Sequence, residues 1–171
     1  MPMKCITWLA GCAFAGVASA AVSDEPLDPD DAFRASVRLA VGSPTKNGRP
    51  GFTLTYRIAE GYYLYRDRFQ VSIDPGNLKL DAPRLPRGLT KDDPFVGRSE
   101  IYRKGVTFHV PFSGKPIPGA YTLTVVAQGC MEDRICYAPF TQELRANIPP
   151  GFQVSDAPVI RRMPAPSAGK P

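Results

Sequence analysis

Long apolar runs are scarce in this sequence. Beyond its first 20 residues, no stretch approaches the ~18 apolar residues that a membrane-spanning helix needs, which excludes a multi-span membrane protein. Clustered charge is also missing. The 21 Lys and Arg exceed the 16 Asp and Glu to give a net charge of +5, but the basic residues are scattered, with Arg161-Arg162 the only late pair. Without a basic block interleaved with aromatics, the charge reads as solvated surface, and no nucleic-acid partner is expected. There is no internal repeat and no long helical period past the N-terminal segment. The 19 Pro and 15 Gly make up about a fifth of the chain, below the low-complexity range. Collagen-like, coiled-coil and fully disordered chains are thereby excluded. What is present suits one globular domain. A hydrophobic fraction of 43% over 171 residues can supply a core, and a domain near this size buries roughly 68–70% of its unfolded surface, so it folds without a metal or disulfide.

The first 20 residues have the pattern of a secretory signal peptide. Met1 to Lys4 carry the positive charge, Ile6 to Val17 are apolar or small, and Ala18-Ser19-Ala20 offers a small-x-small cleavage site. Leu9-Ala10-Gly11-Cys12 also fits a lipoprotein cleavage pattern. The short apolar run before Cys12 and the apolar residues after it favour ordinary cleavage. Of the four cysteines, Cys5 and Cys12 leave with this segment, and Cys130 and Cys136 remain. Export to an oxidising compartment lets that pair form a disulfide.

From Phe33 onward the sequence alternates with period two, the signature of strands with one buried face. Val37, Leu39 and Val41 form one such series. Phe52, Leu54, Tyr56 and Ile58 form another. Val106, Phe108, Val110 and Phe112 follow, then Tyr121, Leu123 and Val125. Residues 62–73 are rich in aromatic and β-branched types. Turn chemistry separates these runs at 42–45, Asn47-Gly48, 74–77 and 116–119. The spacing predicts an all-β sandwich or barrel over residues 21–150, opening with an extended acidic leader over 21–31. Residues 151–171 read as a Pro-rich flexible tail. His109 falls on the polar face of its strand and is expected in solvent. Glu100 and Arg103 read as surface or sheet-edge charges.

Cys130 and Cys136 are separated by five residues, directly after the strand over 121–126. A tight loop or hairpin of that length brings two Cα atoms within disulfide range. Closing so short a loop contributes only about 2 kcal/mol by chain entropy. The spacing alone leaves a structural staple and a redox pair both open. Two thiols and the distant His109 fall short of the usual four zinc ligands, so no metal is expected. A copper site using Cys130, Met131 and Cys136 is a weaker third reading.

Three motifs occur in order around this pair: Gly61-Tyr62-Tyr63-Leu64-Tyr65-Arg66, Asp92-Asp93-Pro94-Phe95-Val96-Gly97-Arg98, and Gln128-Gly129-Cys130 with Cys136-Tyr137. Together they resemble the periplasmic N-terminal domain of the DsbD family of thiol:disulfide interchange proteins, over roughly residues 27–150. The resemblance implies an immunoglobulin-like β-sandwich with thiol:disulfide oxidoreductase activity and no bound cofactor. It also implies a thioredoxin-like electron donor linked to a membrane electron-transfer protein. The acceptors it implies are periplasmic thioredoxin-fold proteins, such as disulfide isomerases or cytochrome c maturation proteins.

Carried over position by position, Cys136 matches the cysteine that forms mixed disulfides and Cys130 its resolving partner. Residues 93–97 match a cap loop, with Phe95 as an aromatic lid over the sulfurs. Tyr63 and Tyr65 match tyrosines lining the site. Strand alternation sets these two on one face. Asp93 matches a nearby acidic residue, which would raise a thiol pKa by disfavouring a second negative charge. Pro94 and Ala138 depart from the family pattern, which carries an acidic residue and a proline there. The family's full protein continues into a multi-span domain and a thioredoxin-like domain, whereas this sequence stops at Pro171; it reads as a free-standing domain or as a fragment. The expectation is an exported electron-relay domain. Its rival is a non-enzymatic binding or scaffold module with a structural disulfide.

Overall fold

A computed structural model describes residues 25–40, 49–94 and 96–152. The signal segment with Cys12, the residues from Val41 through the turn to Gly48, Phe95 and the tail from 153 onward lie outside the described residues.

Apolar alternation builds the centre of the fold. Strand β2 (Gly51–Ile58) buries Phe52, Leu54, Tyr56 and Ile58. It pairs antiparallel with β1 (Phe33–Ala40) on one side and β7 (Gly105–Pro111) on the other. A second antiparallel sheet has β8 (Gly119–Ala127) between β11 (Phe140–Ile148) and β4 (Gln70–Asp74). Phe52, Leu54, Tyr56, Val106, Phe108 and Val110 of the first sheet share one core with Tyr121, Leu123 and Val125 of the second. The result is the expected immunoglobulin-like β-sandwich, with two inner faces interdigitating.

A third sheet is made of shorter strands in the order β10-β9-β3-β6-β5. These are β3 (Tyr62–Tyr65), β5 (Leu89–Asp93), β6 (Gly97–Tyr102), β9 (Gly129–Met131) and β10 (Ile135–Cys136). Strand β3 leaves β2 through Gly61, whose φ of 80° suits glycine. Strand β9 continues from β8 after Gln128. This sheet is therefore a direct extension of both halves of the sandwich.

Four features differ from the sequence reading. The run over 62–73 is two strands, β3 and β4, separated by a 3₁₀ turn at Arg66–Arg68. Strand β11 was not anticipated, because the polar Gln142 interrupts its apolar series. Gln142 lies inward of its neighbours and donates to the Phe33 carbonyl at 2.9 Å. The acidic leader ends in a helical turn at Pro29–Ala32, in which the Asp31 and Ala32 amides donate to the Asp28 carbonyl. Proline suits that first turn because its missing N–H would be unpaired there anyway.

The fourth difference is His109, which is 5% exposed rather than solvated. Residues 79–84 run antiparallel along the free edge of β7, with bridges at Leu80–Phe112 and Arg84–His109. His109 Nε2 donates to the Arg49 carbonyl at 2.9 Å, and its Nδ1 is buried without a partner. Burial pushes its pKa below the usual histidine value. Alternation assigns a side chain to a face. It does not say what covers that face.

The leader is fastened at Leu27. Its N–H donates to the Tyr62 hydroxyl at 2.8 Å, and its carbonyl accepts from the Tyr137 hydroxyl at 2.5 Å. The Tyr62 and Tyr137 rings stack at 6.4 Å.

Candidate active site

The pleat of β3 divides its four residues between two environments. Tyr62 and Leu64 join the sandwich core. Tyr63 and Tyr65 lie on the opposite face in a small cluster with Ile101, Cys130 and the partly buried Cys136. Register builds this cluster: Tyr63 is opposite Cys130, Cys130 opposite Cys136, and Tyr65 opposite Ile101. Gly129 permits the approach of β9 to β3. A β-carbon there would run into the Tyr63 carbonyl oxygen and lie 2.8 Å from the Phe33 ring.

Cys130 and Cys136 form a disulfide across the β9–β10 hairpin, with Cα atoms 4.0 Å apart. The hairpin turns through Asp133, whose φ is 57°, a conformation that Asp tolerates better than most residues. The two sulfurs differ in access. Cys130 is 1% exposed, whereas Cys136 is partly open to solvent.

The Tyr65 hydroxyl lies 3.3 Å from Cys130 Sγ and 3.9 Å from Cys136 Sγ. Disulfide sulfurs carry no proton, so the hydroxyl is the donor. Tyr63 packs edge-to-face on Tyr65 at 5.5 Å and donates its own hydroxyl to Asp93 Oδ2 at 2.5 Å. Burial, followed for Tyr63 by its bond to Asp93, pushes both phenols above their ordinary pKa. Both therefore stay protonated at neutral pH and keep a hydrogen to donate.

Asp93 ends β5 and is 4% exposed. Besides Tyr63, it accepts the Val96 amide on Oδ1 at 3.3 Å. Asp93 pairs with Gly97 across the β5–β6 hairpin, with Pro94 and Val96 in turn conformation between them. Gly97 has φ 75°, as three-residue hairpins that close on a left-handed residue require. Cys130, Cys136, Tyr63, Tyr65 and Asp93 are thus gathered as one network. Phe95, the sixth anticipated residue, is outside the described residues. Met131 packs against the sandwich core opposite Tyr62 rather than beside the sulfurs. That placement removes the thioether from the copper reading.

One cluster was missed. Lys91 Nζ and Arg103 Cζ lie over the Tyr63 ring at 5.4 and 5.5 Å. Both pair with Glu132, in the loop between the cysteines. Lys91 reaches it at 3.4 Å, and Arg103 grips both its oxygens, Nη1 at 2.5 Å. The Arg103 hydrogen bonds hold the Glu132 carboxyl below the usual carboxylate range. Arg103, expected as a surface or sheet-edge charge, is a part-exposed member of this trio just past the end of β6. No local spacing joins positions 91, 103 and 132, so only the fold reveals the trio.

A β-sandwich that presents one accessible disulfide beside two neutral tyrosines defines a domain organised around that disulfide. Over residues 23–147 the chain matches the family described as thiol:disulfide interchange protein DsbD, N-terminal, and it belongs to that family. DsbD of Citrobacter koseri is 32% identical over 158 residues, which is 92% of this chain and 25% of the relative. DsbD 1 of Pseudomonas aeruginosa is 35% identical over 116 residues, 68% of this chain and 18% of that protein. The chain thus spans about a quarter or less of the length of these curated relatives. The crystal structure of the reduced DsbD N-terminal domain of Neisseria meningitidis superposes with a TM-score of 0.60 at 32% identity, covering 72% of this chain and 90% of that one. The same organism's domain in its complex with the PilB N-terminal domain gives 0.53 at 31% identity, covering 70% and 85%.

Proposed function

We propose that this chain is a periplasmic thiol:disulfide oxidoreductase domain, exported by the signal over residues 1–20, that relays electrons through Cys130 and Cys136. The observation that carries this reading is the asymmetry of the pair: one sulfur is open, the other buried against a phenol that keeps its proton. A thioredoxin-like donor attacks Cys136 Sγ with a thiolate. The Cys130–Cys136 bond breaks, Cys130 leaves as a thiolate, and the donor is joined to Cys136. The Tyr65 hydroxyl is placed to donate to that leaving thiolate, and hydrogen bonds to charged groups are among the stronger ones. The donor's second thiolate then attacks its own sulfur in the mixed disulfide and releases Cys136. The donor ends as a disulfide, and the domain has gained two electrons and two protons.

Delivery reverses the sequence. The Cys136 thiolate attacks the disulfide of a periplasmic thioredoxin-fold acceptor, and Cys130 resolves the adduct. Phe95, in the loop anchored by Asp93, acts as the lid that keeps stray oxidants from the reduced pair, since exchange rates follow thiolate access. No bound cofactor takes part. The PilB complex of the Neisseria relative supports a protein as the reacting partner.

Trapping tests the assignment. The Cys130→Ala variant, mixed with a periplasmic extract under non-reducing conditions, is expected to yield discrete mixed disulfides with thioredoxin-fold proteins through Cys136. An absence of adducts, together with a wild-type disulfide that resists a thioredoxin-like reductant in the folded state, would leave the pair as a staple in a scaffold module.

A further inference from the structure

Strand β10 has two residues, and its hairpin keeps Cys136 beside Cys130 after reduction. Backbone ties secure the two legs: the Tyr137 amide donates to the Gly129 carbonyl at 3.0 Å, and the Glu132 amide to the Gly61 carbonyl at 2.8 Å. At the turn itself, Glu132 is the residue whose carboxylate reaches back to the body of the domain, where Arg103 and Lys91 hold it. Side-chain exposures of 18% for Lys91 and 32% each for Arg103 and Glu132 shelter this trio more than an ordinary surface pair. Charges in a part-buried network are less screened than isolated exposed ones. The two cations also cover the Tyr63 ring, whose backbone is opposite Cys130.

We propose that Glu132 is a positioning residue for the redox pair: gripped by Arg103 and Lys91, it holds the Cys130–Cys136 hairpin against Tyr63 and keeps the sulfurs apposed in the dithiol state, which favours the disulfide. The inference rests on the disulfide being reversible, as proposed above. Closure of the dithiol is intramolecular, so its equilibrium constant follows the effective concentration of one sulfur at the other. A clamped hairpin raises that concentration; a released one lowers it.

The experiment equilibrates the full chain with glutathione. In this reaction the protein disulfide and two glutathione thiols give the protein dithiol and glutathione disulfide, with one S–S bond broken, one formed and two protons passed to the protein. Glu132→Gln is expected to lower the constant for protein disulfide formation roughly five- to tenfold, the scale of a network ion pair. Arg103→Gln is expected to shift it in the same direction, and Lys91→Gln replaces it should that variant not fold. The shared direction is the decisive result. Glu132→Gln removes a negative charge and the cation variants remove a positive one, so a simple field on the sulfurs would move the constant oppositely. Opposite shifts, or none, overturn the positioning role. A wild-type disulfide that neither glutathione nor a thioredoxin-like reductant can reduce in the folded state overturns the relay itself, and this inference with it.

Discussion

In the sandwich, β2, β7 and β8 run for eight, seven and nine residues and bury aromatic and aliphatic side chains almost alone. In the third sheet, β3, β9 and β10 run for four, three and two residues, and the face turned from the sandwich core gathers two phenols, the Asp93 carboxylate of β5 and a disulfide. Both regions use the same alternation of faces. Long strands with apolar inner faces supply stability, since each buried large side chain contributes about 1.5–3 kcal/mol. Short strands hung on that frame can hold polar atoms that would be costly in the centre, provided each has a partner. The Tyr63–Asp93 and Tyr65–sulfur contacts meet that condition.

The contrast can be broken first on the sandwich side. Phe108 is 2% exposed and packs against Phe69 at 5.1 Å. Phe108→Ala should cost about 3–5 kcal/mol, read as a fall in the denaturant midpoint. The site should fail only in step with the fraction unfolded. A rate that drops in the fully folded variant would show that the two regions are not separable.

Tyr65→Phe probes the other side. Unfolding free energy should change by no more than ~1.5 kcal/mol, the net worth of one neutral hydrogen bond. The rate at which a small dithiol reduces the folded protein should fall about tenfold, because the leaving thiolate loses a charge-assisted bond. An unchanged rate with wild-type stability would remove Tyr65 from the chemistry.

The smallest effect sharpens the comparison by pH. His109 is buried in the sandwich half, and burial lowers its pKa in the folded state. The fold therefore favours the neutral ring, and the unfolded chain takes up the proton first. Stability contributed by the neutral ring is complete above the unfolded value of ~6.5 and declines as pH falls from there toward the folded pKa. His109→Gln should flatten that part of the profile in thermal melts. A slope below pH 6.5 that the variant retains would belong to another group.

Much of both regions was legible, and for a physical reason. Period-two alternation is written locally, so β2, β7 and β8 could be read from Phe52 to Ile58, Val106 to Val110 and Tyr121 to Val125. The same rule set Tyr63 and Tyr65 on one face, and Pro94 with Gly97 marked a loop tip. What escaped depends on residues distant in the chain. Gln142 hid β11 because its inward partner, the Phe33 carbonyl, belongs to another strand. His109 looked solvated because the group its ring meets, the Arg49 carbonyl, lies outside its own strand. The Glu132 trio required a residue in mid-β5 to meet residues of two separate turns. Local pattern sets the faces of strands, and tertiary contact decides what those faces meet.

The clasp at Leu27 ties the chain's entry to its chemistry. Tyr137, which holds the Leu27 carbonyl, directly follows Cys136, and Tyr62, which accepts the Leu27 amide, precedes Tyr63. The polypeptide therefore enters the domain through a buckle whose two prongs are the chain neighbours of Cys136 and of Tyr63. A tag or fluorophore placed just ahead of Leu27 sits on that buckle, and tension applied to the leader pulls on the strand that carries Cys136.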